Sequence, residues 1–343
     1  MHKIFKILLW VLGSILMILA VAFIAGYLLT GGDYTIAETA AQDPALPRIE
    51  INDTWLHAET FGRDTSQVVI VLHGGPGNDY RSLLSLQELA DDFQVVFYDQ
   101  RGSGLSERVP EEEISLAIFI EDLKAMVDHY SKDEKVFLIG HSWGGMLASA
   151  FIGRYPELIE KAVLAEPGFL TAEMGNELMG KTNYFQPPMN LKTIMQVLTI
   201  WLRSLHVRGP DEQARMDFFM EQLVFSTEID NHPMAGYFCG HDIKNAYLPI
   251  WRMGTLASQT MQRSAMNEDG KIDMDFIVGV EAFDKKVLFI AGDCNVLIGP
   301  EYQARQMEFF PQAELVIIKD AGHSMIGEKP AETLKVIRDY FRE

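Results

Sequence analysis

The stretch GHSWGG at residues 140–145 decides the fold. It matches Gly-x-Ser-x-Gly, the sharp strand-to-helix turn that lifts a nucleophilic serine clear of a sheet. The apolar run 136–139 before it predicts a buried strand, and the Ala-, Leu- and Met-rich run 146–155 after it predicts a helix. Glycine is needed in such a turn because the backbone is strained and the helix packs close behind it. Ser142 is therefore the candidate nucleophile.

Two more glycine-rich turns stand upstream of the serine. HGGPG at residues 73–77 follows the apolar run 68–72, and DQRGSG at 99–104 follows another apolar run. A turn after the strand that precedes the serine can aim a backbone N–H at a developing oxyanion, so we expect Gly75 and Trp143 to supply the two donors. The Arg and Asp of the second turn indicate a structural role.

The general base is expected late in the chain. AGHS at residues 321–324 lies between a predicted strand, 315–318, and a predicted helix, 331–341. A histidine in a loop after a strand is where this arrangement holds its base, and the other histidines lack that setting. His323 is therefore the candidate base.

These motifs, in this order, resemble the α/β-hydrolase superfamily from about residue 48 to the end of the chain, and within it the proline iminopeptidase group of serine peptidases. The resemblance implies an α/β fold: a mostly parallel sheet with helices on both faces and an inserted helical cap. We expect a core formed by residues 48–167 and 285–343, with the cap at 168–284. HGGPG-type turns also occur in esterases and lactonases.

The resemblance also implies an acidic residue in a Gly-x-x-Asp turn after the penultimate strand, but Asn295 occupies that position. Asparagine can orient an imidazole but cannot balance the charge of the imidazolium. Two carboxylates are candidates in its place. Asp293 lies on the same turn, and Glu166 ends the predicted strand 162–165, where certain haloalkane dehalogenases carry their acid. We favour Glu166 and keep Asp293 as the alternative.

The implied activity is release of a small N-terminal residue, such as proline, from a short peptide through an acyl-enzyme. Such enzymes bind the free amine through cap glutamates, one beside a tryptophan, and no Trp-Glu pair occurs here. The remaining acidic candidates for the amine are Glu173, Glu177, Glu228 and Asp230. A carboxylesterase or lactonase acting on a small molecule is the alternative function. A non-catalytic binding module on a hydrolase fold is a third possibility.

Residues 7–29 form an uncharged run of 23 positions. As a helix this run is about 35 Å long, enough to cross a bilayer core. Lys3 and Lys6 precede it and acidic residues follow it, which places the N-terminus in the cytoplasm and the catalytic domain in the periplasm or outside the cell. We expect a single-pass anchor and a linker at 30–47. A cleaved signal peptide is the competing interpretation, with a weak cut site at 39–41.

The formal net charge of −19 argues against nucleic acid as a partner and against adhesion to anionic lipid. No nucleic acid partner is therefore expected, and bilayer contact is expected through residues 7–29. No phosphate-binding glycine motif is present and no cofactor is expected. His232, Cys239 and His241 match no zinc-site spacing, so no metal is expected. We favour separate buried thiols for Cys239 and Cys294, although an exported domain could pair them.

Overall fold

The computed structural model describes the backbone of residues 2–343 and the side chains of residues 3–343. The strands are β1 (Arg48–Ile51), β2 (Thr54–Phe61), β3 (Val68–Leu72), β4 (Gln94–Tyr98), β5 (Val136–His141), β6 (Ile159–Ala165), β7 (Val287–Gly292) and β8 (Ala313–Ile318). The helices are α1 (His2–Leu29), α2 (Leu116–Tyr130), α3 (Trp143–Arg154), α4 (Ala172–Thr182), α5 (Leu191–Ser204), α6 (Ala214–Val224), α7 (Thr255–Ser264), α8 (Pro300–Met307), α9 (Met325–Glu328) and α10 (Pro330–Arg342). A 3-10 helix over Tyr80–Asp91 joins β3 to β4.

Within residues 2–343, eight strands form one sheet in the order β1-β2-β4-β3-β5-β6-β7-β8. The β1–β2 and β2–β4 pairs are antiparallel, and the other five pairs are parallel. The carboxyl ends of the parallel strands meet at one edge, so the turns that follow them come together there. This arrangement confirms the predicted α/β fold with a mostly parallel sheet.

Both faces of the sheet are covered, because alternate residues of the central strands point to opposite sides. Ile70 belongs to a buried cluster with Phe151 of α3, whereas its neighbour Val71 belongs to a second cluster with Ile337 of α10. Covering both faces explains why the central strands are apolar throughout instead of alternating. The predicted helices on both faces of the sheet are therefore present.

Residues 168–284, predicted to form a helical cap, contain α4 to α7 and irregular chain between them. The carboxyl-terminal half of this segment packs against the sheet. Ala257 and Met261 of α7 lie in the same buried cluster as Phe276 and the sheet residues. Phe218 of α6 instead packs in a separate small cluster with Tyr34. Sequence patterning alone did not separate these two halves.

The N-terminal helix projects from the body. Lys3–Leu29 is long and apolar enough to cross a membrane by length and composition, and its most apolar stretch is not buried against the protein. The segment after it, 30–47, contains no helix or strand but is held to the body. The Ala40 N–H donates to Leu105 O (2.7 Å), and Arg252 Nη1 donates to Ala37 O (3.0 Å).

The two cysteines correct one sequence expectation. Cys239 and Cys294 form a disulfide, not two separate thiols. Cys239 belongs to the irregular part of the insertion and Cys294 to the turn after β7, so the bridge ties the two regions together. Sequence could not reveal the pairing because 55 residues separate the partners and only the fold brings their Cα atoms to 4.8 Å.

Candidate active site

Ser142 occupies the turn between β5 and α3 with φ at 55°, a left-handed backbone conformation that is rare for a non-glycine residue. The flanking glycines permit this turn. A Cβ on Gly140 would lie 2.3 Å from Gly144 O, and one on Gly144 would lie 2.1 Å from Leu72 O. The backbone is therefore compatible only with glycine at both positions, as the motif predicted.

The HGGPG turn passes directly beside the serine. A Cβ on Gly74 would lie 3.1 Å from Ser142 Cβ. Gly75 has φ at 125°, which favours glycine, and it lines one cavity together with Ser142 and Trp143. In the described part of the chain, neither the Gly75 N–H nor the Trp143 N–H donates a hydrogen bond. Both donors are thus free beside the serine, where the sequence placed the oxyanion donors.

The imidazole of His323 contacts a carboxylate. His323 Nδ1 lies 2.7 Å from Glu166 Oε2, and both side chains are buried. Glu166 follows β6 and His323 follows β8, so the parallel topology brings them together across 157 residues. The structure thus brings the favoured acid to the candidate base.

Asn295, at the position where the resemblance implied an acid, supports the Glu166 carboxylate. Its Nδ2 donates to Glu166 Oε2 (2.6 Å), and the Gly292 N–H donates to Glu166 Oε1 (2.8 Å). Asn295 Oδ1 accepts the N–H groups of Leu297 and Ile298, which fixes the amide with its donor toward the carboxylate. Sequence reasoning assigned Asn295 no role, although its position relative to Glu166 could have suggested a supporting one.

Asp293, the alternative acid, lies elsewhere. Its carboxylate is 3.4 Å from Lys319 Nζ at the partly exposed rim of the turn. In the described part of the chain it makes no hydrogen bond to His323. The turn geometry directs residue 295 inward and residue 293 outward, so the structure does not bring this candidate to the base.

Burial sets the protonation of Glu166 and His323. It lowers the pKa of His323 to about 4, so the ring is neutral near pH 7. It also raises the pKa of Glu166 to about 8, while the hydrogen bonds from Gly292 and Asn295 act in the opposite direction. A proton on Glu166 would be donated to Nδ1 and leave the His323 proton on Nε2. Loss of the Glu166 proton gives the tautomer with a free Nε2 lone pair.

Two further residues hold His323, and sequence reasoning missed both contacts. His141 Nε2 is 2.8 Å from the carbonyl oxygen of His323, and the His323 N–H donates to Tyr237 O (2.8 Å). The Tyr237 ring packs at 5.0 Å from the imidazole. Ser142 and His323 line one cavity of about 230 Å³. Within residues 2–343, no hydrogen bond joins their side chains.

The second cavity at the serine, of about 190 Å³, is mainly apolar. Its lining residues include Trp143, Met146, Phe169, Leu178, Met261, Met274 and Phe276. Among the described residues that line this cavity or the one shared with His323, none is Asp or Glu. The space at the serine therefore suits an uncharged apolar group.

The acidic candidates for an amine site lie away from both cavities. Glu177 pairs with Lys181 and Arg305, and Asp230 pairs with Lys192. Glu228 lines a separate groove between α5 and α6, and Glu173 is exposed on α4. The structure brings none of these four carboxylates to the serine.

The DQRGSG turn has the structural contacts that its composition indicated. Asp99 is buried and accepts hydrogen bonds from the N–H groups of Tyr80 and Leu105, and its Oδ2 lies 2.9 Å from His57 Nδ1. Arg101 forms a two-point contact with Asp122. Buried charges satisfied in this way fix loops against one another.

No group of three or more metal-binding side chains occurs in the described part of the chain. Cys239 is in the disulfide, and His232 Nδ1 accepts the Met234 N–H. These bonds leave the His232, Cys239 and His241 set without a thiolate or a free His232 Nδ1.

Comparison with known proteins agrees with this geometry. Residues 67–205 match the sequence profile described as the alpha/beta hydrolase fold. A cis-3-alkyl-4-alkyloxetan-2-one decarboxylase of Shewanella oneidensis is 35% identical over 303 residues, 85% of this chain and 86% of that protein. This chain belongs to the α/β-hydrolase family.

This α/β-hydrolase also resembles the proline iminopeptidase group. A proline iminopeptidase of Heyndrickxia coagulans is 41% identical over 100 residues, 29% of this chain. The match spans only 34% of that enzyme's length. Among solved structures, a proline iminopeptidase-related protein from Thermus thermophilus has a TM-score of 0.57 at 19% identity, covering 85% of this chain and 95% of that one. At this identity the structural likeness supports the fold alone.

Proposed function

We propose that this α/β-hydrolase is a serine hydrolase with Ser142 as nucleophile, His323 as base and Glu166 as the acid that orients the base. The contact between Glu166 and His323 Nδ1 carries the proposal, because it leaves Nε2 to accept the Ser142 proton. Ser142 attacks a carbonyl carbon, and His323 returns the proton to the leaving group. Water then releases the acyl group from the serine.

The Gly75 and Trp143 N–H groups are proposed to bind the oxyanion of the tetrahedral intermediate. Both lack an acceptor within the described residues and border the cavity at the serine. Donors held in this way stabilise the charge that develops in the transition state, typically by about 3 kcal/mol each.

The proposed substrate is an uncharged apolar ester or lactone. None of the described residues that line the cavities at Ser142 is Asp or Glu, so a charged amine would find no carboxylate partner there. The Shewanella oneidensis relative is named for a dialkyl oxetan-2-one, an apolar four-membered cyclic ester, which fits the same chemistry. Attack by Ser142 on such a ring breaks the acyl C–O bond and gives a 3-hydroxyacyl serine. Hydrolysis then gives a 3-hydroxy acid.

A proline iminopeptidase-like aminopeptidase is the second candidate. It is supported by the identity to the Heyndrickxia coagulans enzyme over the segment that carries the motifs. A proline residue would also fit an apolar cavity. This function needs an acidic side chain near the substrate amine, which distinguishes it from the ester proposal.

We further propose a single-pass anchor at residues 7–29, with the N-terminus in the cytoplasm and the hydrolase in the periplasm or outside the cell. The apolar helix and the lysines before it support this orientation. The disulfide supports an exported domain, since such bonds persist in oxidising compartments. The core at 48–167 and 285–343, the cap at 168–284 and the linker at 30–47 remain the proposed domain division.

The test uses the full chain in detergent micelles with three substrates: p-nitrophenyl butyrate, prolyl p-nitroanilide and a cis-3,4-dialkyl-oxetan-2-one. We expect ester and lactone turnover, lost at least 10³-fold in Ser142→Ala. Ser149→Ala is the matched control, because Ser149 lies on α3, the helix that begins next to Ser142, and its hydroxyl donates to Gly145 O. Turnover of the anilide alone would favour the aminopeptidase.

Product analysis and probe labelling separate the remaining outcomes. A 3-hydroxy acid from the lactone supports hydrolysis, whereas alkene and carbon dioxide, formed without water, would identify a decarboxylase. Labelling of Ser142 by a fluorophosphonate supports the nucleophile assignment. Absence of both labelling and turnover would favour a binding module.

A further inference from the structure

Helix α5 exposes one apolar face, the α5 stripe, defined by Leu191, Ile194, Leu198 and Trp201. These side chains are 74%, 48%, 40% and 41% exposed. Their spacing of three, four and three residues places them on a single helix face. A row of large apolar side chains on one face marks a binding surface, unlike apolar residues scattered singly.

The stripe is continuous with the N-terminal helix. The rings of Phe23 and Trp201 pack with centroids 6.1 Å apart, and those of Tyr27 and His206 at 4.0 Å. A Cβ on Gly26 would lie 2.9 Å from Leu202 Cδ1, so this glycine allows the two helices to approach closely. The carboxyl end of α5 is therefore fixed against the last turns of α1.

This contact sets the depth of α5, given the anchor proposed above. Phe23 lies six residues before Leu29, the end of the uncharged run. At 1.5 Å per residue, Phe23 is about 9 Å inside the outer end of that run. Trp201, which packs on Phe23, must then lie near the boundary between acyl chains and headgroups, where tryptophan is enriched.

The charges and neighbours of α5 fit the same location. The helix sequence LKTIMQVLTIWLRS carries two basic residues and no acidic one, in a chain of net charge −19. Tyr184 and Met189, which precede α5, are 83% and 86% exposed and extend the apolar surface. Apolar residues on one face with basic residues beside them are typical of helices that lie in a membrane interface.

We propose that the α5 stripe docks on the outer leaflet of the bilayer that α1 crosses. This inference rests on the proposed anchor and goes beyond it, because the cap itself becomes part of the membrane-bound surface. Attachment depends on burial of apolar side chains, and the tether keeps the stripe at the bilayer, so an acidic protein needs no anionic lipid.

The test places a nitrobenzoxadiazole label at Leu198→Cys in the full chain, reconstituted into phosphatidylcholine vesicles. The control label is at Lys132→Cys, because Lys132 is 59% exposed and lies in the turn between α2 and β5, at the amino ends of the parallel strands. Lipids with a nitroxide near the headgroup are expected to quench the first label several-fold more than the second. The unsubstituted chain measures background labelling of Cys239 and Cys294.

Equal quenching of both labels, in a chain that stays with the vesicles after an alkaline carbonate wash, would overturn docking and leave the anchor intact. Release by that wash would overturn the anchor and the docking together. Shielding of the Leu198 label from lipid with concentration-dependent energy transfer between chains would assign the stripe to a second copy and overturn the bilayer proposal.

Discussion

Glu166 and the α5 stripe differ in their exposure to water: a polar side chain is buried in the first region, and apolar side chains are exposed in the second. Glu166 carries a carboxyl group with no exposure, and each of its oxygens takes part in at least one hydrogen bond. The stripe consists of large apolar side chains that remain 40% to 74% exposed. In the first region burial is maintained by polar contacts within the chain. In the second, the bilayer that we propose as partner would cover the apolar surface.

This difference in exposure separates the proposed role of Glu166 in the reaction from the proposed role of the α5 stripe in positioning the protein. A buried carboxylate needs every donor around it, so a change of one atom there alters the reaction. The proposed docking of the α5 stripe depends on its apolar area, so a substitution there is expected to alter where the protein lies and to leave the reacting atoms in place. Substitutions in the two regions should therefore affect different measurements.

The largest effect is expected for Glu166→Gln, which keeps the shape and removes the charge. We expect kcat for ester hydrolysis to fall by about 10³- to 10⁴-fold, since the imidazolium loses its counter-charge and the tautomer is no longer enforced. Asp293→Asn, on the outer side of the same site, is the control and should retain kcat. The reverse result, a large loss only at residue 293, would transfer the acid role there.

Loss of the Cys239–Cys294 bridge tests whether the two regions are mechanically linked. We expect Cys239→Ser/Cys294→Ser to lower the free energy of unfolding by about 2–4 kcal/mol, since the bridge closes a loop of 55 residues. Thermal unfolding of the oxidised, reduced and substituted chains gives the measurement. Identical melting of the oxidised and reduced protein would contradict a bridge.

The pH dependence tests how Asn295 supports the carboxylate. The raised pKa of Glu166, about 8, means that the folded protein holds this proton above the usual range for a carboxyl group. The competent tautomer therefore appears as pH rises, and kcat/KM should increase between pH 6.5 and 8. Asn295→Ala removes a hydrogen-bond donor that lowers this pKa. The rise of kcat/KM should therefore move to higher pH, and activity at pH 7 should fall about tenfold.

The same shifts set the pH dependence of stability. Between pH 4.5 and 8 the folded state binds the Glu166 proton more strongly than the unfolded state, so this group lowers stability as pH rises. The lowered pKa of His323 has the opposite sign between about 4 and 6.5. Asn245→Ala, which removes an exposed side-chain hydrogen bond to Cys239 O, is the matched control for Asn295→Ala. If kcat/KM instead rises with pH near 4, the group whose titration controls activity is His323.

The smallest effect is expected at the stripe. Leu191→Glu/Leu198→Glu should reduce hydrolysis of an ester dissolved in vesicles by several-fold and leave a water-soluble ester unaffected. Val278→Glu is the matched control, because Val278 is 78% exposed and lies outside α4–α6. A parallel loss on both esters would show that the substitution disturbs the fold and would remove the distinction between the two regions.

The predictable parts of the molecule are those with local signals. The elbow at Ser142 and the loop of His323 follow from short patterns of glycine and apolar residues next to strands, and the topology follows from the alternation of strands and helices. Glu166 could be favoured from its position after β6. The sequence could not supply its hydrogen bonds with Asn295, because that pairing spans 129 residues and depends on side-chain rotamers.

The bridge between Cys239 and Cys294 and the contact between α1 and α5 were also beyond the sequence. Each joins residues whose proximity is set by irregular chain in the insertion, which has no periodic pattern to read. For the same reason, the lining of the cavities, and with it the preference for an uncharged substrate, emerged only from the structure.

The segment between helix and body has a consequence of its own. Residues 30–47 are fastened at Ala37 and Ala40, and Arg252, which holds Ala37, is itself buried between Asp211 and Asp217. Because this segment is held at two points, it would keep the hydrolase domain close to the end of α1. With the proposed anchor in a bilayer, the mouth of the cavity at Ser142 would stay at a fixed distance from the membrane, so encounters would be restricted to molecules near its surface. Lengthening the segment would widen the volume searched and dilute each encounter.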